Sequence, residues 1–223
     1  MKPLLITIDG PSGAGKSTVS RRLSERIGYT YVDTGALYRA VALAALTEGC
    51  AADDDTRLAE ICRHLILKFQ NTSKGPRLYA NGHDITARIR TPEISMLASA
   101  VSARPVVRTY LLDVQRKMGK GGGVVFEGRD MGTVVFPEAD IKFYLDADPE
   151  TRALRRYKEL AEKHAATSLA EVREAMKKRD EDDSSRALAP LKPAPDAIRI
   201  DSTDLEIEQV VEVLLRHIEK RTK

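Results

Sequence analysis

A glycine-rich stretch near the start of the chain has the composition and spacing of a phosphate-binding loop. Its nine residues, Gly10-Pro11-Ser12-Gly13-Ala14-Gly15-Lys16-Ser17-Thr18, satisfy the pattern G-x-x-x-x-G-K-[ST] in full. The backbone N–H groups of such a loop point at an anion, and the helix that follows adds the positive end of its dipole. We therefore predict that this loop binds a nucleotide, with Lys16 against the outer phosphates and Ser17 as a ligand of Mg²⁺.

The residues on either side of this loop support the prediction. An apolar run at residues 4–9 precedes it, and Val19, Leu23 and Ile27 follow it at helical spacing. A strand, a glycine-rich turn and a helix in this order form the context that a phosphate loop requires. The alternative is a glycine-rich turn that fits the pattern by chance, and these flanks argue against it.

The overall composition excludes several classes of protein. The 223 residues are 42% hydrophobic and carry a net charge of +3, which suits one α/β domain and gives no case for a nucleic-acid or membrane partner. No apolar run approaches the roughly 20 residues of a transmembrane helix, and the first residues lack the pattern of a signal peptide. We expect Cys50 and Cys62 to be buried thiols and the protein to be cytoplasmic.

Short apolar runs alternate with segments of helical spacing along much of the chain. We predict strands at residues 4–9, 29–33, 124–126, 141–145 and 198–201. Strands that alternate with helices predict a parallel sheet with right-handed crossovers. The expected fold is an α/β fold of the P-loop NTP-hydrolase type, a parallel five-stranded sheet flanked by helices.

Two segments depart from this alternation. Residues 66–92 contain short extended runs with Asn81-Gly82 between two of them, which predicts a small β-rich insertion. Residues 149–186 are highly charged, arginine-rich and poor in large apolar residues, which is typical either of a closing lid or of a solvated helix pair held by ion pairs. We interpret the chain as one domain whose core comprises residues 1–65, 93–148 and 187–223.

Arginines follow two of the predicted strands. Arg39 lies in a helix predicted over residues 36–48, after a predicted turn at residues 33–35, and Arg129-Asp130 follows the run at 124–126. Loops at the carboxyl ends of parallel strands line one crevice, so both arginines are expected to face the nucleotide. Guanidinium groups suit two neighbouring phosphates, although a lone surface arginine is ordinary. The N-K-x-D element of a GTPase is absent from the sequence.

Four blocks of sequence resemble bacterial cytidylate kinases. They are DGPSGAGK at 9–16, DTGALYR at 33–39, EGRDMGTVVFP at 127–137 and RALAPL at 186–191. This resemblance runs from the first strand to the last helix. It implies transfer of the γ-phosphate of ATP to CMP or dCMP with Mg²⁺, in pyrimidine nucleotide metabolism. It also implies a helical lid at about 149–186 and a role in binding the monophosphate for the insertion at about 66–92.

The same resemblance implies roles for residues around the phosphates. Arg39, Arg129 and Arg186 are expected to contact the acceptor phosphate and, with Lys16, to carry catalysis. Tyr38 is expected nearby. Arg155 resembles a lid residue close to ATP. Since the acceptor phosphate is already ionised, catalysis is expected to come from positioning and charge neutralisation, with no general base.

Further residues are implied in selection of the acceptor nucleoside. Ser99, Arg108 and Asp130 resemble the groups that recognise cytosine, because a carboxylate accepts from the exocyclic amine and an arginine donates to the ring. Arg179 and Asp183 resemble the residues near the sugar. Single positions have simpler alternatives, since Ser99 is also typical of a helix-packing serine and Arg108 of a surface residue.

Two departures from the family pattern bear on these roles. Thr34, a predicted substrate-binding residue, stands where a serine is common and keeps the hydroxyl. The run at residues 179–186 carries fewer arginines than relatives often do, which leaves the share of catalysis due to the lid open.

Two other functions remain open from the sequence. One is a kinase for another small acceptor such as UMP, and the other is a P-loop module that senses a nucleotide without turnover. The arginine sets argue against the sensor, which needs no second phosphate site. The family suggests a monomer that acts on small-molecule substrates.

Overall fold

The computed structural model describes residues 3–72, 75–162 and 167–222. The strands are β1 (Leu5–Asp9), β2 (Thr30–Asp33), β3 (Leu67–Thr72), β4 (Gly75–Ala80), β5 (His83–Asp84), β6 (Val124–Gly128), β7 (Ile141–Asp146) and β8 (Ile198–Asp201). The helices are α1 (Lys16–Ile27), α2 (Thr34–Thr47), α3 (Asp55–His64), α4 (Pro92–Ser102), α5 (Pro105–Gly119), α6 (Pro149–Glu162), α7 (Leu169–Ser185) and α8 (Ile207–Thr222).

The chain divides into two compact units. The first comprises Met1–Tyr31 and Gly121–Lys223, and the second comprises Val32–Lys120. Each has its own buried apolar cluster. No helix in the described part of the chain is long and apolar enough to cross a membrane.

The predicted five-stranded parallel sheet is confirmed, in the strand order β2-β6-β1-β7-β8. Strand β1 pairs in parallel with β6 and β7, and β7 pairs in parallel with β8. The β1–β6 register aligns Asp9 with Gly128, which are the last residues of the two strands. The loops that follow β1 and β6 therefore leave the same edge of the sheet side by side.

The apolar runs of this sheet are buried because helices cover it. Ile6 and Ile8 of β1 are fully buried and share an apolar cluster with Leu23 of α1, Phe143 of β7 and Leu214 of α8. Burial of one such side chain is worth roughly 1.5–3 kcal/mol. This packing gives the first unit a rigid base for its loops.

Helix α2 begins two residues earlier than the sequence pattern predicts. The residues Asp33-Thr34-Gly35 were expected to form a turn, but helical structure starts at Thr34. The Asp33 carboxylate accepts a hydrogen bond from the Ala36 N–H at 3.0 Å and caps the helix. An N-cap and a turn favour the same residue types, which explains the difference.

The second unit also contains a three-stranded antiparallel sheet. Its order is β3-β4-β5, and the β4–β5 turn places both Asn81 and Gly82 at positive φ. A turn of this kind favours Asn-Gly. Helices α2 to α5 supply most of the buried cluster of this unit, which includes Leu37, Leu58 and Leu111.

The charged stretch predicted at 149–186 contains the two helices α6 and α7. Ser168 caps α7, and its hydroxyl and the Glu171 carboxylate form a reciprocal capping box. A small apolar cluster of Ala153, Val172 and Met176 joins the two helices. Residues 163–166 of this stretch lie outside the described part.

Candidate active site

Glycine is required at two positions of the phosphate loop by the space around them. A Cβ at Gly10 would lie 1.9 Å from the carbonyl oxygen of Leu145, and Gly10 has a φ of +149°. At Gly13, with φ +76°, a Cβ would lie 2.8 Å from Met176 Cε and 2.9 Å from the Arg152 carbonyl oxygen. The loop therefore packs closely on β7, α6 and α7, and only glycine permits this path.

Lys16 begins α1 and is buried at the base of the loop. Its Nζ donates a hydrogen bond to the Pro11 carbonyl oxygen at 2.6 Å. Burial, followed by repulsion from Arg129, lowers the pKa of Lys16 to about 7, while the Glu127 carboxylate opposes this shift. A bound phosphate would add negative charge beside Lys16 and favour its protonated form.

Ser17 and Glu127 are positioned together by α1 and β6. The Ser17 hydroxyl donates to Glu127 Oε1 at 2.7 Å, and Glu127 is 6% exposed. Oxygen ligands of this kind suit Mg²⁺, which is commonly held by one or two protein groups together with substrate phosphates. Within residues 3–72, 75–162 and 167–222, no three His, Cys, Asp or Glu side chains form a metal cluster. The donor set fits a metal held mainly by nucleotide.

Asp9 at the end of β1 holds the segment that follows β6. Its two carboxylate oxygens accept hydrogen bonds from the N–H groups of Met131 and Gly132 at 2.9 and 2.7 Å. These residues begin a single π-helical turn, Met131–Val135. Burial raises the pKa of Asp9 to about 6, against the lowering effect of the two backbone hydrogen bonds. The segment that carries Arg129 and Asp130 is thus fixed to the sheet.

Arg129, Asp183 and Arg186 form a cluster of two guanidinium groups around one carboxylate. Arg129 Nε donates to Asp183 Oδ2 at 2.8 Å, and Arg186 Nη1 lies 3.6 Å from Asp183 Oδ1. The exposed fractions of the arginine side chains are 19% and 16%. Among the described residues, the buried Nε and Nη2 of Arg186 have no hydrogen-bond partner.

The cluster carries a net positive charge in a half-buried setting. Burial raises the pKa of Asp183, but the charge of Arg129, its hydrogen bond and the charge of Arg186 outweigh burial and lower it overall. Asp183 is therefore ionised at neutral pH and balances only one of the two guanidinium charges. Such an arrangement attracts an anion with several oxygens, such as a phosphate.

Three other predicted residues of the first unit lie on separate elements. Asp130 is buried in the segment after β6, and Arg179 is exposed on α7. Arg155 of α6 donates to the Ser202 hydroxyl at 3.1 Å and to the Ser202 carbonyl at 2.6 Å. Ser202 Oγ also lies 3.4 Å from the Ala14 carbonyl oxygen of the phosphate loop. Arg155 is thus one contact away from that loop.

The second unit contains another cluster of two arginines and one aspartate. Asp33 Oδ2 accepts from Arg39 Nη2 at 2.9 Å and from Arg90 Nη2 at 3.0 Å. Burial raises the pKa of Asp33, but the charges of both arginines outweigh burial and lower it overall. Arg39 Nε is buried and has no hydrogen-bond partner among the described residues. Arg39 therefore keeps donor capacity for a ligand.

The remaining predicted residues of the second unit lie on α2, α4 and α5. The Arg108 guanidinium carbon lies 5.8 Å from the centre of the Tyr38 ring, and its Nη1 donates to the Ser102 carbonyl at 3.0 Å. Ser99 is exposed, one turn before Ser102, so it is not a core-packing serine. Thr34 is buried at the first position of α2. The structure brings Arg108 and Tyr38 together.

Sequence reasoning did not assign individual roles to several residues that hold these side chains in place within each unit. They are Asp9, Asp33, Arg90, Glu127, Arg152 and Asp180. Three of them carry a sequence signal, because Asp9 and Asp33 end strands and Glu127 nearly ends one. The others, Arg90, Arg152 and Asp180, lie in helical or polar contexts in which the sequence does not distinguish a partner.

The fold and the phosphate loop define this chain as a P-loop protein with a parallel α/β sheet. The structure is similar to shikimate kinase from Bacteroides thetaiotaomicron, with a TM-score of 0.51 and 11% identity over 97% of this chain and 98% of that one. It is also similar to a gluconokinase from Sinorhizobium meliloti, with a TM-score of 0.52 and 13% identity over 98% and 93% of the two chains. At such identities the similarity concerns the fold.

Sequence comparison defines the family. The family model described as cytidylate kinase matches residues 6–220. The cytidylate kinase of Geobacter sulfurreducens is 52% identical over 98% of this chain and 95% of its own length. That of Pseudomonas aeruginosa strain PAO1 is 46% identical over 97% and 96%. This chain belongs to the cytidylate kinase family, and it is an enzyme of the nucleoside-monophosphate kinase class.

Proposed function

We propose that this enzyme transfers the γ-phosphate of ATP to CMP and dCMP, giving CDP and dCDP. The observation that carries the proposal is the match of the cytidylate kinase family to residues 6–220, over a site in which a phosphate loop adjoins clustered arginines. A kinase that acts on a monophosphate needs cations for two polyanions, and the arginine clusters meet this need. They also argue against a sensor that only binds one nucleotide.

The donor is held by the phosphate loop. Its N–H groups and Lys16 bind the phosphates of ATP, and Ser17 together with Glu127 holds Mg²⁺ through oxygen. When bound, Mg²⁺ neutralises charge on the transferring phosphate. Arg155 contributes from α6, close to the loop.

The acceptor phosphate is bound by Arg39, Arg129 and Arg186. All three have half-buried guanidinium groups, and each is oriented by a neighbouring aspartate, Asp33 or Asp183. A guanidinium group held in place before the substrate arrives pays less entropy on binding. Catalysis therefore comes from positioning and charge neutralisation rather than from a general base.

Recognition of the nucleoside involves a different set of residues. We propose that Ser99, Arg108 and Asp130 contact cytosine, that Arg179 and Asp183 contact the sugar, and that Tyr38 and Thr34 lie beside the acceptor phosphate. The stacking of Arg108 on Tyr38 supports a fixed orientation for its guanidinium group.

These roles correspond to different segments of the chain. We propose a core of residues 1–65, 93–148 and 187–223, a monophosphate-binding insertion at about 66–92 and a lid at about 149–186 that closes to exclude water. We propose in addition a monomer in the cytoplasm that acts in pyrimidine nucleotide metabolism on small molecules, without nucleic acid or membrane as partners.

An assay that couples ADP formation to a spectroscopic readout tests the function. The purified enzyme is given ATP and Mg²⁺ with CMP, dCMP, UMP or AMP in turn. The expected result is turnover with CMP and dCMP at the highest kcat/KM. Lys16→Met serves as the inactive control. Faster turnover with UMP would identify the other acceptor class, and nucleotide binding without turnover would identify a sensor.

A further inference from the structure

Arg152 of α6 connects the phosphate loop to α7. Its side chain is 7% exposed, and its Nη1 donates both to the Ser12 carbonyl at 3.1 Å and to Asp180 Oδ2 at 2.5 Å. Its Nε donates to the Ala147 carbonyl at 2.9 Å, at the end of β7. One guanidinium group thus joins the donor loop, the sheet and the second helix of the charged stretch.

Asp180 lies one helical turn before Asp183 on α7, and residues at this spacing share one helix face. Asp183 in turn holds Arg129 at 2.8 Å and lies 3.6 Å from Arg186. A continuous series of polar contacts therefore runs from Ser12 through Arg152, Asp180 and one turn of helix to the arginine cluster. Met176, which a Cβ at Gly13 would meet, adds an apolar contact between α7 and the loop.

We propose that Arg152 and Asp180 are positioning residues that couple the donor site to the acceptor site, so that ATP and CMP strengthen each other's binding. The proposal rests on the proposed function, since it takes Arg129 and Arg186 as ligands of the acceptor phosphate. When ATP binds and orders the phosphate loop, it fixes the position of the Ser12 carbonyl. Arg152 donates a hydrogen bond to this carbonyl and is therefore fixed as well. Separation of the pair would leave the buried Arg152 guanidinium group with only the more distant Asp146 carboxylate, at 3.9 Å, so α7 is held with it.

Reciprocity makes this coupling measurable. If ATP raises the affinity for CMP by some factor, CMP raises the affinity for ATP by the same factor. Removal of an arginine that only contacts ATP would alter ATP binding alone. Removal of a residue that only stabilises the fold would lower the melting temperature without altering the ratio of CMP affinities with and without the donor. The ratio of CMP affinities with and without ATP therefore distinguishes a residue that couples the two sites from one that only contacts ATP or only stabilises the fold.

The test measures the dissociation constant of CMP by calorimetry, with and without a non-hydrolysable ATP analogue and Mg²⁺. We expect the analogue to tighten CMP binding to the unmodified enzyme by at least about fivefold. In Arg152→Met and in Asp180→Asn, this ratio is expected to fall to within about twofold of one. Asp180 is 24% exposed, so its variant is expected to fold even if Arg152→Met does not.

Two variants of similar chemistry serve as matched controls. Arg156→Met removes an arginine of the same helix that is 38% exposed and forms an ion pair with Glu159, and Glu181→Gln neutralises an exposed carboxylate next to Asp180. Both are expected to keep the coupling ratio. The double variant of Arg152 and Asp180 is expected to match either single one, because the two side chains act through one contact.

Three results would overturn the coupling. They are a ratio near one in the unmodified enzyme, a normal ratio in Asp180→Asn, and a loss of ATP affinity in Arg152→Met with an unchanged ratio. Failure of the proposed function has a different signature, since the unmodified enzyme would then form no CDP.

Discussion

The two arginine clusters differ in how their aspartate is held and in how far their arginines reach solvent. In the cluster of the second unit, Asp33 binds both arginines through Oδ2, and its Oδ1 caps α2. In the cluster of the first unit, Asp183 meets Arg129 and Arg186 through different oxygens. Asp33 is therefore fixed by its backbone contact, whereas the position of Asp183 depends on α7.

The two clusters also differ in the exposure of their second arginine, which is Arg90 in the second unit and Arg186 in the first. The Arg90 side chain is 56% exposed, so water can replace Asp33 as its partner. Arg186 is 16% exposed, and water cannot reach its buried nitrogens. The first unit thus confines two cations beside one carboxylate, while the second confines one. We infer that phosphate binding depends more strongly on the cluster of the first unit.

The largest effect is expected when an arginine of the first cluster is removed. Arg129→Met is expected to lower kcat/KM for CMP by about 10³, because a charge-assisted contact in a water-poor site is lost. Arg39→Met is expected to lower it by about 10². Steady-state kinetics check both values. Arg199→Gln, at an exposed position of β8, is the control and is expected to turn over normally. Equal losses of kcat/KM in Arg129→Met and Arg39→Met would contradict the inference that phosphate binding depends more strongly on the cluster of the first unit.

The next largest effect is expected on the free energy of unfolding, and it is again expected to differ between the two clusters. Asp183→Asn leaves two half-buried guanidinium groups without a counter-charge, and we expect it to lower the free energy of unfolding by about 3 kcal/mol. Asp33→Asn is expected to cost about 1–2 kcal/mol, because Asn still caps α2 and Arg90 can turn to water. Urea titrations measure both values.

Added inorganic phosphate is expected to affect the stability of the two Asn variants differently. Millimolar inorganic phosphate is expected to restore part of the stability of Asp183→Asn, because it binds a state with unpaired guanidinium groups, and to affect Asp33→Asn less. A larger recovery in Asp33→Asn would reverse the ranking of the two sites.

Acid is expected to weaken both clusters. The pKa values of Asp33 and Asp183 are lowered in the folded protein, so their stabilising contribution is complete above the unfolded value and is lost as the pH falls through the folded one. The stability gap between the unmodified enzyme and each Asn variant is therefore expected to stay constant down to about pH 5 and to narrow below about pH 4. Urea titrations from pH 7 to pH 3 follow this gap. A gap that widens in acid contradicts the assignment.

The phosphate loop and the sheet could be predicted from the sequence because local features dictate them. A loop that must pass close to Leu145 needs glycine at position 10, and the buried strands of the sheet need apolar runs. Arg129 and Asp130 could be singled out because they follow such a strand. In each case the position along a regular element was enough to place the residue.

The contacts of the charged helices could not be predicted in this way. Arg152, Arg155 and Arg156 are close neighbours on α6, but they bind Asp180, Ser202 and Glu159, respectively. The sequence gives their spacing and charge but not which of them faces the loop, because that depends on how α6 packs on β7 and α7. The same limit applies to Arg90, whose partner Asp33 lies 57 positions earlier in the chain.

The smallest effect is expected for Arg90. Arg90→Gln removes a mostly exposed partner of Asp33, and exposed ion pairs contribute only about 0–1 kcal/mol. Arg39 still pairs with Asp33, so the carboxylate stays ionised and α2 stays capped. We expect kcat/KM for CMP to fall by less than about threefold, which corresponds to under about 1 kcal/mol.

The matched comparison is Arg186→Gln in the other cluster. It is expected to resemble Arg129→Met, since Arg186 is enclosed where Arg90 is exposed. If Arg90→Gln reduced activity as severely as Arg186→Gln, Arg90 would have to act on the substrate itself rather than through Asp33. The exposed fraction of an arginine side chain in this structure would then be a poor guide to which guanidinium groups carry the reaction, and the two clusters would be equivalent anion sites.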